Sequence, residues 1–452
     1  MPSNTRSNSK ATSPGKATSP GKATSPGKAT SPGKTTPTGK TTPDKPTPPS
    51  SPTSNRDRVR SGRVTKKWPK DLATTASQGL TNPNNMCYRH SMLQCLLHQP
   101  AFYHYLDDNH AAPLGCHQVN QCTVCALQAL WDAYWRAVTL PGYVLEEGLL
   151  NETGWLDGAL VRELPAGHSL ADDLENARQS DPFDLLLYLF ECLRNHEKTD
   201  TAKIKAKGLK GLKALKGKWV KSGKSVKTKN QDPESEAAAT QPPSLDELFG
   251  VTLQQQWKCD DCENVTTQEI PPDQAGHGIG LEVNLNAPQQ DLSLVQSLRL
   301  NTFQESITIR CEDGECKQLT GEGKPRQRHK LIVTAPEILI IRLARFTMVS
   351  NDRGGWVSIK SRRKCGYEEY LDLSEFAAGG EVLMYRLDGV VAHRGELDGG
   401  HYIAAVRKQD GQDFHTIDDG EVAQGRDGTV DELERPRSGC NFDPYVLVYS
   451  RV

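Results

Sequence analysis

Cys87, His401 and the pair Asp418-Asp419 are the residues of this 452-residue chain whose types and order suit nucleophilic catalysis. A thiol attacks a carbonyl as the thiolate, and a free cysteine of pKa ~8.5 is mostly protonated at neutral pH. It therefore needs a base, and the base needs a carboxylate to orient its imidazole. His401 supplies the first and the Asp pair, seventeen and eighteen residues further on, the second. Asn82 lies five residues before Cys87. From a loop its amide can donate to the oxyanion that such an attack creates. A buried, inert cysteine beside a polar turn is the other reading these residues leave open.

The elements that must position these groups are legible. Residues 79–97 read GLTNPNNMCYRHSMLQCLL. Leu93, Leu96 and Leu97 have helical spacing and predict one apolar face, and Pro100 ends the pattern. Cys87 thus falls in a first helical turn, where the dipole and free N–H groups favour a thiolate. Around His401 the alternation of Tyr402, Ile403 and Ala405, then Phe414 and Ile417, predicts two strands. The turn Gln409-Asp410-Gly411-Gln412 joins them. Such a hairpin returns an Asp to the side of a His.

With both stretches in view, GLTNPNNMCYRHS resembles the Cys box of the ubiquitin-specific proteases, and GGHYIAAV with DFHTIDD resembles their His box. The likeness runs through most of residues 75–452. It implies an α+β, papain-like cysteine protease fold with a helical thumb, a β-sheet palm and zinc-ribbon fingers. It also implies a deubiquitinating thiol protease: Cys87 the nucleophile, His401 the base, Asp418 its orienter and Asn82 an oxyanion donor. Asp419 is the lesser candidate for orienting His401 and is expected to assist the oxyanion or the His. Asn84-Asn85-Met86 stand where the family usually has Gly-Asn-Thr, and Phe414 where it has Trp. A glycine supplies backbone angles that Asn adopts less readily, so strain is expected at Asn84.

Gln179-Ser180-Asp181-Pro182-Phe183-Asp184 opens a helix whose apolar face is Leu185, Leu186, Leu189, Phe190 and Leu193. Asp181 is a good N-cap with Pro182 at the first helical position. The same residues resemble a family box whose acids hold the arginine-bearing tail of ubiquitin. The resemblance therefore assigns Asp181 and Asp184 to substrate binding. It assigns Gly399, Gly400 and Tyr402 to the narrow channel for a Gly-Gly tail.

Two cysteine groups have metal-ligand character. Cys259 and Cys262 are followed forty-nine residues later by Cys311 and Cys316. Two close pairs flanked by strand-like residues suit a tetrahedral four-thiolate zinc site. Lys258, Asp260, Asp261, Glu312, Asp313 and Glu315 leave these tips little apolar surface to pack. In the family, these hairpins are the fingers, about residues 250–330. His110, Cys116, His117, Cys122 and Cys125 form a second group. There Cys125 runs on into an amphipathic helix, and a role in the fold is the preferred reading.

Composition sets the outer limits. With 36% apolar residues and a mean hydropathy of −0.61, part of the chain is expected to be disordered. Residues 1–70 repeat KATSPG and carry fifteen Lys/Arg against two Asp/Glu, so they are read as a basic disordered tail. Ser13, Ser19, Ser25 and Ser31 each begin Ser-Pro-Gly-Lys, which is similar to proline-directed kinase substrates. Residues 71–452 are the expected catalytic domain, interrupted by a Lys-rich disordered insert at 200–243. Both basic segments are candidates for weak, salt-dependent contact with nucleic acid or another acidic surface. No apolar run reaches membrane-spanning length and the N-terminus is polar, so an intracellular location, nucleus or cytoplasm, and no membrane partner are expected. Ubiquitin and ubiquitinated proteins are the implied partners. A non-catalytic ubiquitin-binding scaffold and a deconjugase of a ubiquitin-like modifier remain the alternatives.

Overall fold

The protein is described by a computed structural model. Its described residues are 64–70, 72, 76–82, 84–110, 116, 122–136, 150–163, 168–197, 243–259, 262–263, 265–270, 278–285, 292–308, 311, 325–351, 354–396, 399–423 and 442–452. The repeat tail with its Ser-Pro sites, nearly all of the Lys-rich insert, and Cys316 lie outside them.

Helices come first. They are α1 (Cys87–Leu97), α2 (Pro100–Asn109), α3 (Thr123–Arg136), α4 (Leu150–Glu163), α5 (Ser169–Glu175) and α6 (182–197). Pro100 both ends α1 and opens α2. All eleven residues of α1 are buried, so the expected single apolar face is too narrow a description. The helix is enclosed on every side, and its polar members are therefore hydrogen-bonded. Gln94 donates to the Gln78 carbonyl at 2.8 Å and accepts from the Tyr134 hydroxyl at 2.8 Å. His98 donates from Nδ1 to the Gln94 carbonyl, which leaves Nε2 to accept from Ser77 Oγ. His415 in turn donates to that Ser77 oxygen at 2.7 Å, tying the end of the Cys87 helix to the strand that carries Asp418.

Strands dominate the second half. The four-stranded sheet has the order β2-β1-β6-β5, from β1 (Thr252–Lys258), β2 (Val265–Ile270), β5 (Gln304–Thr308) and β6 (Pro325–Thr334). The eight-stranded sheet takes the order β15-β14-β13-β12-β16-β7-β3, with β11 (Tyr370–Asp372) beside β12. Its members are β3 (Leu281–Asn284), β7 (Ile338–Ala344), β12 (Met384–Glu396), β13 (Gly399–Arg407), β14 (Phe414–Asp418), β15 (Glu421–Ala423) and β16 (Asp443–Arg451). Two minor pairs complete the set: β4 (Leu292–Ser293) with β10 (Cys365–Gly366), and β8 (Phe346–Ser350) with β9 (Trp356–Lys360). β16 runs through the middle of the large sheet, between β12 and β7.

The large sheet is apolar on both faces, and alternation along its strands sorts the side chains. Ile338 and Ile340 of β7, Tyr402, Ala404 and Val406 of β13, and Val446 and Val448 of β16 join the core shared with α1–α6. Their neighbours Leu339, Ile341, Ile403, Ala405, Leu447 and Tyr449 join a second core on the opposite face. A sheet buried on both sides is a stiff platform, and β13 and β14 carry the candidate catalytic groups at its end. Among the described residues no helix is long and apolar enough to cross a membrane.

Candidate active site

Cys87 opens α1, is 1% exposed and faces His401 of β13. His401 Nε2 donates to Asp418 Oδ1 at 2.6 Å, from the first strand of the hairpin to the end of the second. The bond to Asp418, then the contact with the Cys87 sulfur, push the His401 pKa up to about 10 against the opposing effect of burial. The ring therefore favours its protonated form at neutral pH, and that positive ring faces the sulfur.

The two adjacent acids have different surroundings. Asp418 is about half exposed. Asp419 follows at a positive φ of 47°, an angle that Asp tolerates better than most residues. The angle turns its side chain inward, where it accepts from Asn82 Nδ2 at 3.0 Å and from His90 Nδ1 at 3.2 Å. Its distance to His401 Nε2 is 4.0 Å. Burial raises the Asp419 carboxyl, but the bonds from His90 and Asn82 outweigh it and hold the group below the ordinary carboxylate range.

Asn82 is held at three points. One amide N–H goes to Asp419, while Oδ1 accepts from the backbone N–H of Met86 at 2.9 Å and of Asn84 at 3.2 Å. This Asx-type turn shapes the loop into α1. The positive φ of the loop falls on Asn85, at 47°, and not on Asn84. The strain expected at Asn84 is therefore absent, and the left-handed position is occupied by a residue type suited to it. The loop docks tightly: Leu80 N–H donates to the Asp419 carbonyl, and a Cβ at Gly79 would meet the Gly420 oxygen at 2.2 Å.

Gln179 is a site residue whose role the sequence did not disclose. Its amide clamps the backbone of Gly400, donating to the carbonyl at 2.5 Å and accepting from the N–H at 3.0 Å, and its nitrogen lies 3.9 Å from Cys87 Sγ. The only sequence signal was its place two residues before Asp181. A Cβ on Gly400 would lie 2.1 Å from His393 Nε2 and 2.5 Å from the Arg394 carbonyl, whereas one on Gly399 meets nothing within 4 Å. Tyr402 is buried with its ring 4.4 Å from His393 and 6.0 Å from Tyr445. Asp181 caps α6 as expected, accepting from Phe183 N–H at 2.7 Å, and its other oxygen accepts from Arg342 at 3.1 Å and from the Tyr445 hydroxyl. Asp184 is exposed one turn into α6.

Among the described residues four groups of side chains are close enough to hold a metal ion; one is His401 with Asp418 and Asp419, and the other three are built on cysteines. Cys259, Cys262 and Cys311 converge at the tips of the four-stranded sheet, with the Cys262 and Cys311 sulfurs 3.7 Å apart. Ligands about 2.3 Å from a tetrahedral zinc would be separated by about 3.8 Å, so the spacing fits. His110, Cys116, Cys122 and Cys125 bring one nitrogen and three sulfurs within 4.8 Å of one another, and Glu163 and His196 adjoin Cys122. The hydrogen bond from Cys125, aided by His110 and His196, favours the Cys122 thiolate against the effect of burial. The sequence preferred a role in the fold alone for this second group. Cys122 and Cys125 do sit at the start of α3, but the contribution of His110 from the end of α2 makes a full four-ligand set.

A thiol facing an imidazole that is hydrogen-bonded to a carboxylate, at the junction of a helical half and a β-sheet, defines a site fit for acyl transfer. Residues 78–449 match the family described as Ubiquitin carboxyl-terminal hydrolase, and the chain belongs to it. It is 25% identical over 382 residues to Ubiquitin carboxyl-terminal hydrolase 23 of Arabidopsis thaliana, covering 82% of this chain and 35% of that protein. It is 24% identical over 386 residues to Ubiquitin carboxyl-terminal hydrolase 17-like protein B of Mus musculus, covering 82% and 63%. The chain thus spans less than two thirds of the length of these relatives. Among solved structures it is similar to the SAGA Ubp8/Sgf11/Sus1/Sgf73 DUB module bound to ubiquitin aldehyde. The TM-score is 0.59 at 18% identity, over 85% of this chain and 71% of that one. The fold is accordingly the α+β, papain-like fold of the ubiquitin-specific proteases.

Proposed function

We propose that this chain is a cysteine-type deubiquitinase that hydrolyses the bond after the C-terminal glycine of ubiquitin. The observation that carries the reading is the convergence of Cys87, His401 and Asp418 from three elements, with Asn82 fixed beside them. Cys87, as a thiolate beside the protonated His401, attacks the glycine carbonyl. The tetrahedral oxyanion takes the second N–H of Asn82 and backbone N–H groups at the start of α1. His401 gives its proton to the leaving amine as the carbon–nitrogen bond breaks, leaving a thioester. Water, deprotonated by His401, then releases ubiquitin and restores the thiolate beside the protonated ring. Asp418 keeps the imidazole oriented throughout. The Gly399-Gly400 edge admits a substrate without side chains, and Gln179 fixes its position. Asp181 and Asp184 receive the basic tail, Asp181 with its charge shared with Arg342.

The metal sites are read as structural zinc: one at Cys259, Cys262, Cys311 and Cys316, the other at His110, Cys116, Cys122 and Cys125. The first would secure the fingers against the body of ubiquitin, and the second would tie α2 to α3. Zinc supplies cross-linking here and takes no part in the reaction. The basic residues of 1–70 and 200–243 are read as able to contact acidic surfaces weakly in an intracellular protein. The expected tail ends before residue 70, however, since Val64 and Trp68 pack against the core and the Trp68 ring lies 5.0 Å from that of Trp135.

The test uses ubiquitin carrying a C-terminal aminomethylcoumarin. The wild-type protein releases the fluorophore, and Cys87→Ser abolishes release but still binds ubiquitin, because a hydroxyl is a far weaker nucleophile at neutral pH. Release by Cys87→Ser near the wild-type rate would remove Cys87 from this role. An inactive wild-type protein that binds ubiquitin would leave the scaffold reading.

A further inference from the structure

A chain of polar side chains runs from α4 to the loop before Cys87. Asp157 of α4 accepts from the Arg89 guanidinium, and Arg89 Nη2 donates to His90 Nε2 at 2.7 Å. A guanidinium has only donors, so His90 Nε2 is the acceptor and its proton sits on Nδ1. That N–H donates to Asp419 Oδ1 at 3.2 Å, while Asp419 Oδ2 accepts from Asn82 at 3.0 Å. Arg89 and His90 are 3% and 1% exposed, so water does not substitute for these bonds. Burial lowers the proton affinity of His90, in agreement with the neutral ring that the bonding pattern requires.

We infer that His90 is a positioning residue for the oxyanion arm: it fixes the Asp419 carboxylate, which fixes the Asn82 amide. The geometry separates this from the role of His401. Asp419 has both oxygens engaged, one by His90 and one by Asn82, and lies 4.0 Å from His401, whereas Asp418 lies at 2.6 Å. His90 therefore acts on the stabilisation of the tetrahedral intermediate and leaves the nucleophile and its base untouched. This inference rests on the hydrolase reading above.

Two substitutions separate the two bonds of the ring. The amide nitrogen of Asn overlays imidazole Nδ1, so His90→Asn keeps the donor to Asp419 and loses the bond from Arg89. The longer Gln overlays Nε2, so His90→Gln keeps the Arg89 side and loses the donor to Asp419. Loss of an entire oxyanion donor lowers kcat by about a hundredfold to a thousandfold. A loosened donor should lose part of that, so His90→Gln is expected to lower kcat on ubiquitin–aminomethylcoumarin about tenfold with KM unchanged. His90→Asn should stay within about twofold of wild type, because the bond to Asp419 is the one that matters. Alkylation of Cys87 by iodoacetamide is a displacement at saturated carbon with no oxyanion, so its rate should be the same in all three proteins. In an Asn82→Ala background His90→Gln should produce no further loss. Wild-type kcat in His90→Gln overturns the inference, as does an alkylation rate that falls in parallel with kcat. Equal losses in His90→Asn and His90→Gln, or additive losses with Asn82→Ala, also overturn it. A wild-type protein that releases no fluorophore instead overturns the hydrolase reading itself.

Discussion

Replacing Asp418 by Asn should shift the alkaline limit of hydrolysis downward. In the native site the bond to Asp418 is the largest contribution raising His401 to about 10. An ordinary His titrates near ~6.5, and each unit corresponds to about 1.4 kcal/mol. The elevation is shared with the Cys87 contact, and Asp418 is half exposed, so solvent screens its part. We assign to Asp418 about 1–2 kcal/mol, or about one pH unit. The direction follows from the charge: the carboxylate stabilises the imidazolium, so Asp418→Asn lets His401 lose its proton at lower pH. The kcat/KM for ubiquitin–aminomethylcoumarin, measured from pH 6 to 10.5, should fall at high pH for the wild type as His401 loses the proton it gives to the leaving amine. Its descending limb should move down by about one unit in Asp418→Asn. The kcat/KM for ubiquitin–aminomethylcoumarin at neutral pH should fall about tenfold or more, since the imidazole loses its orienter. A descending limb at the wild-type position, with kcat/KM reduced, would refute the electrostatic argument and leave only a steric role for Asp418. The same limb displaced by Asp419→Asn and not by Asp418→Asn would exchange the roles of the two acids.

Three further outcomes are expected. Gly400→Ala should abolish hydrolysis while Gly399→Ala should remain active, because only the first Cβ collides with His393 and the Arg394 carbonyl; steady-state rates with thermal unfolding as a control decide this. Elemental analysis should find about two zinc ions per chain, with Cys122→Ser and Cys259→Ser each losing about one, and the stability loss reported as a lower Tm. Stability should fall in acid: His98 and His393 are buried with their pKa values pushed down to about 3, so the folded state keeps them neutral while the unfolded chain binds their protons. Their contribution is present above pH ~6.5 and is lost as pH falls from there toward 3, by up to about 1.4 kcal/mol per pH unit for each ring. His401, raised to about 10, has the opposite sign and contributes stability that is full below ~6.5 and lost as pH rises through 10. Urea unfolding at pH 7.5, 6 and 5 checks the slope, and a flat profile would contradict the burial of the two rings.

Local pattern sufficed for the elements that carry the chemistry. Helical spacing after Cys87, strand alternation on both sides of Gly411 and the cap Asp181-Pro182 each depend on near neighbours, and α1, the β13–β14 hairpin and α6 formed where they indicated. Chemistry of residue type was equally legible, since few side chains can act as nucleophile, base or soft metal ligand. Position in the tertiary structure was not. Sequence could not say that α1 is buried all round, because that depends on which layers enclose it. Residue type alone offered Asp418 and Asp419 as equals and only the family resemblance ranked them; a single positive φ at Asp419 sends one toward His401 and the other toward Asn82 and His90. Gln179 reaches Gly400 across 221 positions of sequence. His110 joins the three cysteines only because α2 ends where α3 begins in space. Such contacts cost loop-closure entropy that only the packing of the whole domain offsets, so no local window records them.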